Sequence, residues 1–196
     1  MLEPLEAYFR LLLQWNATIN LTALPLENPT DETFDRLLIE PLAAARHIPD
    51  SPIVWFDLGS GGGSPAIPLK IARPALKLTM IESKTRKAAF LREAVRRLGI
   101  QETVVLNDRF EEVAGNAETA GAADLVTVRA VKTDTALFET AGLLLKDRGQ
   151  LLLFRPSHAA SADPAGFARL STVKLTEEPA THLCTYRRVF HVEQRR

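Results

Sequence analysis

Residues 56–69 read FDLGSGGGSPAIPL. An apolar run ends in Asp57, and Gly59, Gly61 and Gly63 then fall at alternate positions before a helix can begin. Glycines so spaced let the backbone turn tightly and let a ligand lie against it with no side chain between. A plain strand-to-helix turn rarely needs three. The dinucleotide fingerprint G-x-G-x-x-G seats a pyrophosphate on a helix N-terminus. Here Ser64 stands where its third glycine would fall, and Pro65 and Pro68 disturb a regular helix start. No G-x-x-x-x-G-K-[ST] occurs, which counts against a P-loop nucleotide hydrolase.

Acids at three places refine the ligand. Glu82 closes the next strand-like run, where a carboxylate can accept hydrogen bonds from both hydroxyls of a ribose. In the segment NDRFEE, Asp108 or Glu111 can meet an adenine edge, with Phe110 as apolar neighbour. Asp57, just before the glycines, would repel a pyrophosphate and suits a cationic ligand. S-adenosyl-L-methionine joins a ribose, an adenine, an ammonium and a sulfonium, and carries no phosphate. The glycines are therefore expected to clear space for the amino-acid end of an adenosyl cofactor.

These residues need a frame. Runs at 53–58, 76–82, 103–108, 123–130 and 150–156 are strand-like, and helical patterns lie between them at 65–74, 84–99 and 134–149. FEEVAGNA is at most a short helical turn. This alternation predicts a parallel sheet covered on both faces. STVKLTEEP and CTYRRVFHVEQ read as two further strands, a hairpin forming an antiparallel edge. Upstream, residues 2–15 are an amphipathic helix. A second helix is expected over 31–47, with Asp31 as its N-cap and Pro41 kinking or interrupting it. The expected organisation is a helical extension over 1–50 and one compact α/β unit over 51–196.

The chain has 196 residues, 46% of them apolar, enough for one sizeable core. Lys and Arg number 24, as do Asp and Glu, so bulk charge gives no vote for a polyanionic partner. A single cysteine, Cys184, excludes an internal disulfide and a cysteine-based metal site. His47, His158, His182 and His191 are scattered, and no metal is expected. The first residues carry Glu3 and Glu6 and no basic cluster, unlike an export signal, and no run is long enough to span a bilayer. A cytoplasmic location without a membrane partner is expected, and the sequons at Asn16 and Asn20 are read as chance or as local turn and capping chemistry. Trp15 and Trp55 are expected to pack in the interior.

QWNATINLTA, FDLGSGGGSPAIPLKI, IESKTRKAAFLREA, LNDRFEEV, DLVTVRAV and LLLFRP occur in this order. Together they resemble the glucose-inhibited division protein B family, over about residues 8–156. That family comprises Rossmann-like class I methyltransferases that use S-adenosyl-L-methionine to methylate guanine N7 in small-subunit (16S) ribosomal RNA. The resemblance implies a mostly parallel seven-stranded α/β sheet with an antiparallel C-terminal edge. It implies that Asp57, Gly59, Gly61, Gly63 and Ser64 border the cofactor, that Glu82 holds the ribose, that Phe110 and Glu111 lie by the adenine, and that Arg129 stands at the mouth. On the RNA side it points to Asn20, Arg36, Arg86, Lys87, Arg129 and Arg155, with 16S ribosomal RNA or the small subunit as partner, and Thr22 falls on a motif position too. The chain departs from the family pattern at named positions. Gln14 replaces a lysine, and Leu37, Glu40 and Pro41 replace His, Asp and Ser of R-H-L-L-D-S. Ser64 and Ala66 replace Phe and Gly of G-F-P-G, and Arg155 replaces a lysine.

Guanine N7 has a free lone pair and no proton, so the reaction needs alignment and no general base, and no acid–base residue is assigned. Lys84, Arg86, Lys87, Arg92, Arg96 and Arg97 crowd one helix, which is either an RNA-facing surface or an ordinary solvated face. Two other methyl acceptors, another RNA or a small molecule, fit the same cofactor site. A non-catalytic relative and, more weakly, a nicotinamide-dependent reductase are the remaining alternatives.

Overall fold

The structure, a computed structural model, describes residues 2–156 and 163–189. His158 and His191, and the end of the CTYRRVFHVEQ segment, lie outside the described residues. Five strands are parallel: β1 (Val54–Leu58), β2 (Lys77–Ile81), β3 (Thr103–Leu106), β4 (Ala123–Arg129) and β5 (Leu145–Arg155). β6 (Phe167–Thr176) and β7 (Thr181–Arg188) form the expected hairpin, and β7 pairs antiparallel with β5. The sheet order is β3-β2-β1-β4-β5-β7-β6.

Side chains alternate across each strand, so one sheet makes two cores. Trp55, Leu78, Met80, Leu125 and Leu152 face one layer, made by α1 (Leu2–Asn16), the helical segment 31–47, α4 (Ala66–Ala72) and α5 (Thr85–Arg97). Phe56, Leu58, Val126, Val128, Leu151 and Leu153 face the other, made by α6 (Phe110–Gly115) and α7 (Thr135–Leu144). Burying each large apolar side chain contributes about 1.5–3 kcal/mol, and Trp55 and Tyr8 are wholly buried. Trp15 packs edge-on against Phe90, so both tryptophans are packing residues, as expected.

Two boundaries differ from the sequence expectation. The helix expected to reach 149 ends at Leu144. Leu145 instead pairs with Ala123 at the start of β5, and Arg148 takes a left-handed φ of 61° before Gly149. The helical pattern therefore gives way to sheet pairing and a turn.

The helix over 31–47 is capped by Thr30, whose side chain accepts from the Thr33 amide while Thr33 caps back, and Asp31 is its first residue. Nor does Pro41 interrupt it. α2 (Asp31–Phe34) passes into a π-turn (Asp35–Ile39), then α3 (Glu40–Ala44) and a short 3-10 turn. Proline has no amide to return to the preceding turn, and the wider π-turn absorbs that loss. The carbonyls of Arg36 and Leu37 accept from side chains outside the helix.

Candidate active site

The sequence builds a cleft where the β1, β2 and β4 ends meet. β1 and β4 are neighbours from which the chain crosses to opposite sides of the sheet, the place where open α/β sheets hold ligands. The cleft has a volume of about 500 Å3. Gly59 to Gly62, Ser64 and Glu82 line it from the loop and the β2 end, Leu21 to Leu24, Glu32, Arg36 and Leu37 line it from the N-terminal layer, and Lys87 and Arg129 complete the lining.

The glycine loop is held from every side. The amides of Gly59 and Ser60 donate to the Ile81 carbonyl at 2.9 and 3.1 Å, and that of Gly63 to Ser60 O at 2.7 Å. The Gly61 amide donates to Glu82 Oε2 at 2.9 Å, and the Lys84 amide to Glu82 Oε1 at 2.8 Å. A phosphate cradle needs loop amides aimed outward, and these four are spent inside the protein. Gly63 has φ 87°, and a Cβ there would lie 2.5 Å from Ile67 Cδ1, so only glycine fits. Tyr8 donates its hydroxyl to Gly62 O at 2.7 Å, tying α1 to the loop. Asn16 Oδ1 accepts from the amides of Leu21 and Thr22 at 2.8 and 3.0 Å, which sets the turn carrying residues 21–24 into the cleft. The Asn16 sequon is thus turn chemistry, as expected.

Asp57 lies beneath the loop, 1% exposed. Trp55 Nε1 donates to Thr127 Oγ1 at 2.8 Å, and the Thr127 hydroxyl donates to Asp57 Oδ1. Asp57 Oδ2 is buried with no partner. Burial pushes the Asp57 carboxyl above the usual carboxylate range, against the hydrogen bonds and the Arg129 charge that pull it down.

Arg129 reaches the cleft, but its guanidinium is a clasp. It donates to Arg36 O through NH1 and to Ser64 O through NH2 at 2.6 Å, and NH1 lies 3.7 Å from Glu40 Oε2. Ser64 Oγ donates to Leu37 O at 2.8 Å. Arg129 and Ser64 thus satisfy the carbonyls of Arg36 and Leu37 in the turn before Pro41, whose missing amide leaves one carbonyl there without its helical donor. Glu40, 1% exposed, sits between Arg129 and Arg36, whose Nε is 3.3 Å from its Oε1. Burial raises the Glu40 pKa, the two guanidinium groups opposing it. Burial also lowers the pKa of Arg129.

Of the residues singled out in the sequence, Gly59, Gly61, Ser64, Glu82, Thr22, Arg36, Lys87 and Arg129 line the cleft. Asp57 and Gly63 support it from below. Asn20 and Arg86 are exposed outside that lining. Phe110 and Glu111 open α6 beyond it, and Asn107 ties that loop back by donating to Glu82 O at 2.9 Å. Arg155 lines a different hollow, with Thr133 and Phe138. Sequence reasoning missed Tyr8 and Glu32. Glu32 had a readable signal, since it lies one helical turn before Arg36. Among the described residues no three His, Cys, Asp or Glu side chains are grouped to hold a metal, and no helix is long and apolar enough to cross a membrane.

A seven-stranded mixed sheet of this order, with a glycine loop after β1 and an acid closing β2, defines a class I S-adenosylmethionine-dependent methyltransferase fold. Solved structures share it. A SAM-dependent methyltransferase from Aquifex aeolicus aligns with TM-score 0.62 and 13% identity over 82% of this chain and 94% of its own. MtNAS in complex with MTA and tNA aligns with TM-score 0.59 and 14% identity over 76% of this chain, which spans 58% of that protein. The family model for rRNA small subunit methyltransferase G matches residues 1–184. Ribosomal RNA small subunit methyltransferase G of Stenotrophomonas maltophilia (strain K279a) is 39% identical over 169 residues, covering 84% of this chain and 74% of that protein. The chain belongs to the rRNA small subunit methyltransferase G family.

Proposed function

We propose that the chain is an S-adenosyl-L-methionine-dependent methyltransferase that methylates guanine N7 in 16S ribosomal RNA, with the helical layer of residues 1–50 walling the target cleft over the α/β unit. The observation that carries the cofactor assignment is the glycine loop. The amides of Gly59, Ser60, Gly61 and Gly63 are turned inward, with Glu82 at the loop's edge and the unpartnered Asp57 Oδ2 beneath it. That surround disfavours a diphosphate and fits a nucleoside of net positive charge. Glu82 would take the ribose hydroxyls on its remaining lone pairs, the bare backbone of Gly59 to Gly61 would lie along the amino-acid end, and Phe110 and Glu111 would border the adenine. The cofactor supplies a methyl group on a sulfonium.

The chain's own task is alignment, which can supply about 7–11 kcal/mol of a two-reactant barrier. Arg129, through Arg36 O and Ser64 O, fixes the spacing of the two walls. Arg36 and Lys87, with Arg86 and Asn20 outside the cleft, would steer the RNA phosphates. No residue moves a proton, because N7 carries none.

The test is transfer of labelled methyl from S-adenosyl-L-methionine to small-subunit RNA lacking the modification, mapped by chemical cleavage at N7-methylguanine. One cleavage site is expected. Label that fails to enter guanine refutes the assignment.

A further inference from the structure

The proposed reaction leaves one selection unexplained. Adenine presents the same N7 lone pair as guanine, so the reacting atom cannot distinguish the two bases. Discrimination has to come from another edge. Guanine's N1–H and exocyclic N2 amino group are both donors, whereas adenine N1 is an acceptor.

Nearly every polar side chain lining the cleft is already engaged. Glu82 accepts from two amides, Arg129 donates to two carbonyls, and Ser64 donates to Leu37 O. Arg36 is held by Glu40, Ser60 donates to Asp57 O, and Thr22 Oγ1 accepts from the Leu24 amide. Among the described lining residues, Glu32 and Lys87 carry charge with neither a hydrogen bond nor an ion pair in the protein. Glu32 lines the cleft from α2, in the helical layer. Lys87 lies at the start of α5, on the Glu82 side.

A guanine whose N7 faces the glycine-loop wall, where the methyl donor is held in the proposed function, turns its N1–N2 edge toward the helical wall. A carboxylate there meets two donors side by side. An ammonium would meet none, and against N7 it would block the nucleophile. We propose that Glu32 is the specificity-determining residue of the cleft, its carboxylate accepting from N1–H and the N2 amino group of the target guanine.

The contact also acts on rate. As the N7–C bond forms and the C–S bond breaks, the purine gains positive charge and N1–H becomes more acidic. The hydrogen bond to Glu32 is then stronger in the transition state than in the ground state, and its loss lowers kcat as well as raising KM.

The inference rests on the proposed RNA reaction, and its test separates the two. Inosine keeps N7, O6 and N1–H and lacks only the N2 amino group. RNA carrying inosine at the mapped guanosine is compared with the unmodified transcript, using wild type and Glu32→Ala. Wild type is expected to lose about 10- to 100-fold in kcat/KM on inosine, the worth of one charge-assisted hydrogen bond. Glu32→Ala is expected to be at least as slow on guanosine and to treat the two RNAs alike. Its affinity for S-adenosylhomocysteine by calorimetry should match wild type, which shows the cofactor wall intact. A wild type indifferent to inosine, or a guanosine preference that survives in Glu32→Ala, overturns the role of Glu32 while leaving the methyltransferase reading standing. A wild type that methylates no RNA overturns that reading and this inference with it.

Discussion

Asp57 shows how one side chain can be costly to the fold and useful to the site. Its carboxyl is buried, one oxygen has no partner, and burial raises its pKa. A carboxyl whose folded pKa is raised binds protons more tightly in the native state. Its favourable contribution is therefore complete below the ordinary carboxylate value of about 4 and is lost as pH rises through the folded value. Asp57→Asn removes the charge and keeps the shape. The variant is expected to gain Tm relative to wild type at pH 8 and to lose that advantage as the scan moves toward pH 4. In the same variant, S-adenosyl-L-methionine should bind about 10-fold more weakly, because a positive ligand loses an anion beneath it. Thermal unfolding across pH and calorimetry with the cofactor read the two effects separately. A variant less stable than wild type at pH 8 would show that the Asp57 charge is well solvated in the native state. The sequence pointed to Asp57 as a counter-charge but could not show that it lies under the loop, because a strand-end acid reads the same whether it faces ligand or floor.

At the scale of elements, the two unusual segments of this chain explain each other. Pro41 deprives the helix over 31–47 of an amide, and Ser64, on the glycine loop, donates to Leu37 O in its place. The positions are 23 residues apart in sequence, so no local pattern links them. Ser64→Ala leaves a buried carbonyl without a donor, at about 1–3 kcal/mol. That corresponds to a fall in Tm of about 2–4 °C per kcal/mol in a chain of this size. Pro41→Ala restores an amide that can reach the same carbonyl. In that background Ser64→Ala should cost clearly less, a coupling of about 1 kcal/mol in a double-mutant cycle. Additive losses would mean that the two segments act independently. The strands, α4, α5 and the C-terminal hairpin were legible because alternating and helical periods are local. The continuity of the helix through Pro41 and the early end of α7 at Leu144 were not, because a π-turn and a paired Leu145 are settled by partners far along the chain. That the glycine loop and Glu82 share one cleft was legible. The clasp of Arg129 on two carbonyls was not, since a strand-end arginine reads as a ligand group until its neighbours are seen.

For the whole molecule, equal numbers of basic and acidic residues conceal an uneven distribution. α5 and its approach carry six cations, and one acid, Glu93, offsets part of that charge at the far end. Glu93 pairs with Arg96 at 2.8 Å and Arg97 at 2.5 Å, which holds its own pKa down to about 2. Arg92 donates to Val105 O at 3.3 Å. Lys84, Arg86 and Lys87, at the end nearest Glu82, have no ion pair and flank the cleft. A polyanion is therefore drawn to one end of a molecule whose average charge is zero. Each phosphate neutralised on a single strand contributes about −0.7 to the slope of log affinity against log salt. Replacing Arg86 and Lys87 together by alanine should make that slope shallower by about 1 to 1.5 between about 50 and 200 mM salt. Replacing Arg96 and Arg97, which share Glu93 as their one counter-charge, should change it by about half as much. Fluorescence anisotropy with a labelled fragment of small-subunit RNA reads both slopes. Cofactor affinity, measured alongside, should be unchanged in the Arg96 and Arg97 double variant. Equal effects from the two pairs would mean that the RNA lies along all of α5 and that the Glu93 pairs open on binding. An effect confined to Arg86 and Lys87 ties the backbone contacts to the cleft in which the base must be held.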